Sequence, residues 1–181
     1  LMTVKTRRLL DDADAIVYDR LVSAAVLETI PPGTARIFVG KADGNHSLPQ
    51  DEINDLLVRL ACNGHNVVRL KGGDPFIFGR GGEEALHLKA HGVPFEIVPG
   101  ITAASGIGAN LGLPLTHRGL ATDVRFITGH LSADRTLDLD WGSLAATRST
   151  LIFYMGLSTL PDIAERLVAA GLPAATPAAA V

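Results

Sequence analysis

The chain has 181 residues, of which 47% are hydrophobic and 19% charged, with a formal net charge of −3 at pH 7. That length can bury a substantial core, and a negative net charge disfavours binding to nucleic acid through a broad positive field. The longest apolar runs, such as residues 151–157, are too short to span a bilayer, and residues 1–14 lack the apolar core of a signal peptide. The single cysteine, Cys62, is predicted to be a buried or half-buried thiol on a helix of a cytoplasmic protein.

Strand and helix patterns alternate through the first part of the chain. Runs of β-branched and aromatic residues predict four strands, at residues 15–19, 36–40, 66–70 and 95–98. Apolar residues at helical spacing around Ile53 predict a helix that ends at Asn63-Gly64, and two more helices are predicted further on, at residues 81–91 and 102–111. This alternation predicts an α/β fold with a largely parallel sheet covered by helices.

The pattern changes after a Gly-Leu-Pro sequence that starts at Gly112. Two further strands are predicted at residues 124–128 and 150–155, separated by a polar loop, and a helix is predicted at residues 159–170. The sequence therefore predicts two α/β subdomains, residues 1–113 and 114–181.

A glycine-rich stretch, RLKGGDPFIFGRGGEE, occupies residues 69–84. A phosphate-binding P-loop requires a Lys-Ser/Thr pair after its glycines, whereas here Lys71 precedes them. The spacing also fails to match the Gly-x-Gly-x-x-Gly fingerprint of dinucleotide-binding folds, and Asp74 would repel a phosphate. A nucleotide-phosphate enzyme is therefore disfavoured.

The same stretch follows a predicted strand, which is the usual ligand position in an open α/β sheet. Gly72 and Gly73 would allow close approach of a ligand to the backbone, and Arg80 could bind a carboxylate. The alternative is a tight turn whose glycines serve geometry alone.

Basic residues cluster beside predicted loops elsewhere in the chain as well. This pattern suits a small anionic ligand in a cleft, although scattered surface charge is the alternative. The residues concerned are Arg20, Lys41, Arg69, Lys71, Arg80, His117 and Arg118.

Seven stretches carry a resemblance to a known family. In chain order they are VYDRLVS (17–23), VGK (39–41), RLKGGDPFIFGRGGEE (69–84), VPGITAASG (98–106), GLPLTHRG (112–119), TGHL (128–131) and FYMG (153–156). Together they resemble the uroporphyrinogen-III C-methyltransferases of the tetrapyrrole methylase family. The resemblance covers essentially the whole chain, and its most specific parts are the glycine-rich stretch and VPGITAASG.

The resemblance implies a fold, a reaction and an assembly. The fold would be two α/β subdomains with the cofactor in the cleft between them, in a cytoplasmic homodimer that needs no metal, membrane or nucleic acid. The reaction would be methylation of uroporphyrinogen III at C2 and C7 by S-adenosylmethionine, giving precorrin-2 on the route to sirohaem and cobalamin. The family's first strand and cofactor loop would precede Leu1, and further sheet would follow Val181, so the chain is expected to be truncated at both ends.

The resemblance also assigns residues to the cofactor and to proton transfer. Asp19 matches a proton acceptor and Lys41 a proton donor, although an unperturbed lysine is a poor acid and Lys41 would rather steer a substrate carboxylate. Without the resemblance, both residues would be read as strand-end charges in solvent. The cofactor residues implied are Gly72, Gly73, Asp74, Ile77, Thr102, Ala103 and Met155.

A substrate with eight carboxylates requires a cationic rim. The candidates are Arg20, Arg69, Arg80 and Arg118, with Tyr154 packing against the macrocycle or donating a hydrogen bond to it. For Thr102 the alternative is a helix cap, and for Met155 and Tyr154 it is core packing. Three competing functions remain: a methylase of a later corrin intermediate, a methylase of diphthine, and a non-catalytic ligand-binding module.

Overall fold

The computed structural model describes residues 1–40, 48–130, 137–146 and 148–181. They form two compact units, unit 1 (Leu1–Ala103) and unit 2 (Ala104–Val181). Both contain parallel strands and helices, so the α/β class predicted from the sequence is confirmed. The boundary predicted after residue 113 lies at the end of a helix, α5 (Ala103–Leu111), whereas unit 2 begins in the first turn of that helix.

Unit 1 is built around a three-stranded parallel sheet of order β2-β1-β3. Ala15 of the central strand pairs with Ala35 on one side and Val67 on the other. The elements are α1 (Val4–Asp11), β1 (Ala15–Tyr18), α2 (Ala24–Leu27), β2 (Ala35–Phe38), α3 (Gln50–Cys62), β3 (Val67–Leu70) and α4 (Gly81–Ala90).

The core of unit 1 lies on both faces of β1, because successive side chains of a strand point to opposite faces. Ile16 packs in a cluster with Leu10 of α1, while its neighbour Val17 packs with Ile53 and Leu57 of α3. Ile16 and Val17 are fully buried. A strand that is buried on both faces needs a continuous apolar sequence, and such a sequence is the basis on which β1 was predicted.

The strand predicted at residues 95–98 is wrong, since these residues have no regular secondary structure. A cavity of about 780 Å³ lies between β3 and residues 93–100. These residues therefore do not pair with β3 through backbone hydrogen bonds. In this segment Glu96 forms an exposed ion pair with Lys5 of α1, at 2.6 Å.

Unit 1 contains one helix that the sequence did not predict, and one prediction about this unit is wrong. Residues 1–14 contain a helix, α1, whose N-cap residue Thr3 accepts a hydrogen bond from the backbone of Thr6 at 3.2 Å. Leu10 is the buried residue of this helix. Cys62 is exposed, not buried, because it is the last residue of α3, where the apolar face ends.

Unit 2 contains a parallel pair of strands with helices packed against it. The pairing runs from Asp123 opposite Ser149 to Thr128 opposite Tyr154. Its core is formed by Ile127, Leu137, Leu144, Ile163 and Leu167. Besides α5, the elements are β4 (Asp123–Thr128), α6 (Trp141–Ala145), β5 (Ser149–Tyr154) and α7 (Leu160–Ala169).

The short helix α6 lies in the segment predicted to be a polar loop. Its N-cap residue Asp140 accepts a hydrogen bond from the backbone of Ser143 at 3.0 Å, and Leu144 is its buried residue. Five residues are too few for helical periodicity to be visible in the sequence.

Candidate active site

The glycine-rich stretch forms a turn that is held by the side chain of Asp74. Oδ1 of this residue accepts a hydrogen bond from the backbone of Phe76 at 2.8 Å, and Oδ2 accepts one from the backbone of Gly100 at 3.0 Å. The first bond is typical of an aspartate that begins a turn, and the second ties the turn to the segment before α5. Asp74 therefore shapes the predicted cofactor loop through both carboxylate oxygens.

Two stretches that the resemblance assigns to the cofactor lie against each other. A Cβ atom on Gly100 would lie 2.0 Å from the carbonyl oxygen of Gly73, so the two backbones are in direct contact. A Cβ atom on Gly73 would lie 3.9 Å from the backbone nitrogen of Ala103 and 4.0 Å from Cα of Thr102. The structure thus brings Gly73 together with Thr102 and Ala103 within unit 1.

Chain packing and backbone conformation explain the glycines themselves. A Cβ atom on Gly72 would lie 2.5 Å from the carbonyl oxygen of Leu21, and Gly73 has a φ of 82°, which favours glycine. The half-buried Ile77 donates a backbone hydrogen bond to the carbonyl of Asp74 at 3.2 Å. The glycine positions alone therefore do not require a ligand.

The turn contains two strained residues, Phe78 and Arg80, with φ values of 52° and 57°. Each left-handed residue that is not glycine costs on the order of 1–3 kcal/mol, and such residues concentrate at ligand-binding sites. Phe78 is 41% exposed, so its ring does not recover that cost by full burial. The strain makes this turn a candidate binding loop.

Arg80, predicted to bind a substrate carboxylate, binds a carboxylate of its own chain. Its Nε and Nη2 donate to the two carboxylate oxygens of Glu83 at 2.8 and 2.6 Å. This hydrogen bonding raises the pKa of Arg80 and lowers the pKa of Glu83. Both side chains are more than half exposed, so the pair adds little stability and a substrate carboxylate would compete with Glu83 for the guanidinium.

Asp19 lies at the carboxyl end of β1, where it was predicted to lie. Its Oδ1 accepts a hydrogen bond from the backbone of Leu21 at 3.0 Å, and its Oδ2 accepts one from Nη2 of Arg69 at 3.0 Å. The side chain is 22% exposed. Asp19 is thus a fixed, accessible carboxylate and not a strand-end charge free in solvent.

Arg69, predicted to contact the substrate, is bound on every side within unit 1. Besides Asp19, its Nε donates to Oε1 of Glu84 at 3.1 Å, and its Nη1 donates to the carbonyl oxygens of Val17 and Leu70. Its side chain is 13% exposed. Contact between Arg69 and the substrate stays a prediction. The hydrogen bonds of Arg69 within this chain also give it a structural role.

This network also contains Glu84 and Gln50, which the sequence did not single out, and Lys71, one of the basic residues predicted to lie beside loops. Oε1 of Glu84 also accepts a hydrogen bond from Nζ of Lys71 at 3.0 Å and one from Nε2 of Gln50 at 3.3 Å. Burial lowers the pKa of Lys71, and the nearby charge of Arg69 adds to this, while Glu84 opposes it. Arg69 and Lys71, two cations at alternate positions of a strand end, were a sequence signal for a buried acidic partner. That partner, Glu84, could not be identified from the sequence because it lies thirteen or more positions away.

Of the site residues predicted in unit 2, Arg118 precedes β4, Tyr154 is the last residue of β5, and Met155 directly follows it. The hydroxyl of Tyr154 accepts a hydrogen bond from the backbone of Ala104 at 3.1 Å, and its ring lies 5.7 Å from that of Phe126. Met155 is 56% exposed and has a φ of 57°, which contradicts the alternative that it is a core methionine. Arg118 is exposed.

The remaining predicted residues are less informative. Arg20 is exposed and directly follows Asp19. Lys41, the predicted proton donor, lies outside the described residues. Thr102 directly precedes α5, the position that the helix-cap alternative requires.

Within the described part of the chain there is no group of three or more His, Cys, Asp or Glu residues placed to hold a metal ion. In the same residues, no helix is long and apolar enough to cross a membrane.

Comparison with known proteins identifies the family. The family model of the Tetrapyrrole (Corrin/Porphyrin) Methylases matches residues 1–181. The chain belongs to this family. As a tetrapyrrole methylase it is 57% identical over 181 residues to siroheme synthase of Pseudomonas aeruginosa strain LESB58, and 56% identical to siroheme synthase of Azotobacter vinelandii. The match covers the whole of this chain but 39% of either relative, so the chain spans less than half the length of these curated relatives.

Solved structures of tetrapyrrole methylases have the same fold. Uroporphyrin-III C-methyl transferase from Thermus thermophilus, complexed with S-adenyl homocysteine, superposes with a TM-score of 0.75 at 42% identity. The superposition covers 93% of this chain and 70% of that one. Cobalt precorrin-4 methyltransferase superposes with a TM-score of 0.79 at 26% identity, over 94% of this chain and 70% of that one.

Proposed function

We propose that this chain carries out the S-adenosylmethionine-dependent methylation of uroporphyrinogen III at C2 and C7, giving precorrin-2. The observation that carries the proposal is the 42% identity to uroporphyrin-III C-methyl transferase over 93% of the chain. The siroheme synthase relatives favour the sirohaem pathway as its setting. The resemblance noted in the sequence and these comparisons support the same reaction.

The residues of unit 1 fit S-adenosylmethionine on physical grounds. Gly72 and Gly73 are exposed, so their backbone groups are open to a ligand, and Gly73 lies beside the first residue of α5. The first backbone N–H groups of a helix have no partner within it and can donate to groups outside it, as that of Ala104 does to the hydroxyl of Tyr154. We therefore assign the cofactor to Gly72, Gly73, Asp74, Ile77, Thr102 and Ala103, and, from the resemblance, to Met155. Bound there, S-adenosylmethionine would supply an electrophilic methyl group.

We assign Asp19 as the proton acceptor. When a fully substituted pyrrole carbon attacks the methyl group, it becomes quaternary and the macrocycle becomes cationic. The macrocycle returns to neutrality by losing a proton from another of its positions, and a carboxylate fixed nearby can take that proton or stabilise the cation. Asp19 suits this task because its two hydrogen bonds fix the carboxylate while part of it stays accessible. Lys41 is retained as a residue that steers a substrate carboxylate.

The substrate's carboxylates need cations that can reach them. Arg20, Arg80 and Arg118 are exposed and are assigned to this rim, whereas Arg69 is enclosed by its own chain. Tyr154 is assigned to the macrocycle. The homodimer and the cytoplasmic setting are proposed from the resemblance, and light scattering of the purified chain tests the homodimer.

The first test is calorimetric titration of S-adenosylhomocysteine, followed by a methyl-transfer assay with uroporphyrinogen III. We expect binding to the wild-type chain and to Asp19→Asn alike, with the methylation rate of Asp19→Asn about 10²- to 10⁴-fold lower, the range for a lost general base. Asp12→Asn, an exposed acid before β1, is the control and should keep the wild-type rate. Absence of binding would refute the cofactor assignment, and an unchanged rate in Asp19→Asn would refute the role of Asp19.

A second candidate is a methylase of a later corrin intermediate, which the superposition on cobalt precorrin-4 methyltransferase favours. The lower identity of 26% makes it the weaker candidate. A competition assay with uroporphyrinogen III and a cobalt-corrin substrate separates the two, since the methylated product identifies the preferred macrocycle.

A further inference from the structure

We propose that Glu84 is a positioning residue that holds Arg69 and, through Arg69, the carboxylate of Asp19. This inference rests on the proposed function only for the effect on methyl transfer. The arrangement itself can be tested in the absence of any reaction.

Glu84 is a buried acid with several donors. It is 5% exposed, and its Oε1 accepts hydrogen bonds from Arg69, Lys71 and Gln50 at 3.1, 3.0 and 3.3 Å. A buried carboxylate is costly unless it is paired and hydrogen-bonded, so these contacts offset the cost of burying Glu84 in the interior of unit 1.

Arg69 transmits this fixed position to Asp19. The planar guanidinium uses Nε for Glu84 and Nη2 for Asp19, two donors of one rigid group. Its Nη1 donates to the carbonyl oxygens of Val17 and Leu70, on β1 and β3. A rotation that broke the bond to Glu84 would therefore also move the donor away from Asp19.

The network is also balanced in charge. Two acids, Asp19 and Glu84, face two cations, Arg69 and Lys71, within 3.1 Å. Removing the charge of Glu84 leaves both cations with Asp19 as their acidic partner in the network. Arg69 and Lys71 would then compete for Asp19, so its carboxylate would be displaced from the place that its two hydrogen bonds define.

The decisive variant is Glu84→Gln, which keeps the shape of the side chain and removes its charge. Its matched control is Glu52→Gln, which changes an exposed acid in the first turn of α3. We expect Glu84→Gln to lower kcat for methyl transfer about 10- to 100-fold, as expected when a reacting group is misplaced by up to an ångström. Affinity for S-adenosylhomocysteine should be unchanged, and Glu52→Gln should keep the wild-type kcat.

A double variant shows whether Glu84 acts through Asp19. If it does, Glu84→Gln added to Asp19→Asn lowers kcat no further than Asp19→Asn alone. A second full loss in that background would overturn the proposal.

An NMR measurement decides the arrangement without any assay of activity. The Nε–H signal of Arg69 should be ordered and protected from exchange in the wild type and in Glu52→Gln, and should broaden or exchange rapidly in Glu84→Gln. If the signal is equally ordered in Glu84→Gln, the proposal is refuted. If Glu84→Gln does not fold, Glu84→Asp, which keeps the charge and withdraws it by one carbon, is measured in the same way. A wild-type chain that shows the ordered signal but methylates nothing would refute the proposed function alone.

Discussion

At the scale of single residues, Lys71 shows how burial and charge act together on one amine. Its side chain is 10% exposed, and burial is the largest cause of its lowered pKa, from an ordinary value of 10.5. The unfolded chain therefore binds this proton more tightly than the native chain does. Between the native pKa and 10.5, the free energy of unfolding should rise with pH, because the unfolded chain carries more protons there.

Lys71→Met removes this titration. We expect the free energy of unfolding of the variant to rise less steeply with pH, over the alkaline range below 10.5, than that of the wild type. Urea unfolding at a series of pH values measures the two slopes. Lys89→Met, at an exposed position of α4, is the control and should keep the wild-type slope. Equal slopes for Lys71→Met and the wild type would contradict the effect of burial on Lys71.

The site was predictable at this scale only in part. Asp19 and the glycine positions stood in stretches that resemble a known family, and the structure brings Gly73 together with Thr102 and Ala103. The bonds of Arg69 to Asp19 and Glu84 were not predictable, because a charged residue in a sequence does not reveal its partner. An arginine that is exposed to the substrate and one that is buried in an ion-pair network cannot be distinguished in the sequence, and the fold is needed to tell them apart.

At the scale of elements, the glycine-rich turn and the helix that follows it place opposite demands on glycine. Gly100 lies where the turn meets the segment before α5, and a Cβ atom there would lie 2.0 Å from a backbone oxygen. Gly82 lies in the first turn of α4, where a Cβ atom would meet nothing within 4 Å. The same substitution should therefore have opposite effects on stability.

We expect Gly100→Ala to destabilise the chain by about 1–3 kcal/mol, the cost of overpacking, or more if the turn cannot move. Gly82→Ala should stabilise it by about 0.5–1 kcal/mol, because glycine is unfavourable within a helix. Chemical denaturation of both variants measures the two changes. A neutral Gly100→Ala would show that the turn and the segment before α5 do not pack as closely as described.

Strands were predictable where their burial matched their composition. β1 is apolar and buried on both faces, and both its neighbours were also recognised from their sequences. Residues 95–98 have a similar composition but form no strand, since composition reports local preference and a strand also needs a partner in register. The helix α1, with Leu10 as its buried residue, shows the converse case.

At the scale of the whole molecule, the described residues form two units with separate hydrophobic clusters. The single tryptophan, Trp141, packs against the cluster of unit 2, so its fluorescence reports the unfolding of that unit. Ile163, which is 3% exposed, lies in the same cluster.

Ile163→Ala should lower the free energy of unfolding seen by tryptophan fluorescence by about 2–5 kcal/mol, the range for such a truncation in a core. Leu157→Ala is the control, because Leu157 is 78% exposed and its truncation leaves no cavity. A loss below about 0.5 kcal/mol for Ile163→Ala, the size of an ordinary surface effect, would contradict the core described for unit 2.

The exposed thiol at the end of α3 has a practical consequence. Cys62 is the single cysteine of the chain and lies in unit 1, while the single tryptophan lies in unit 2. A dye attached to Cys62 by thiol chemistry and excited through Trp141 therefore forms one donor–acceptor pair per molecule, without any engineered residue. Resonance energy transfer between them measures the separation of the two units in solution, with and without S-adenosylhomocysteine.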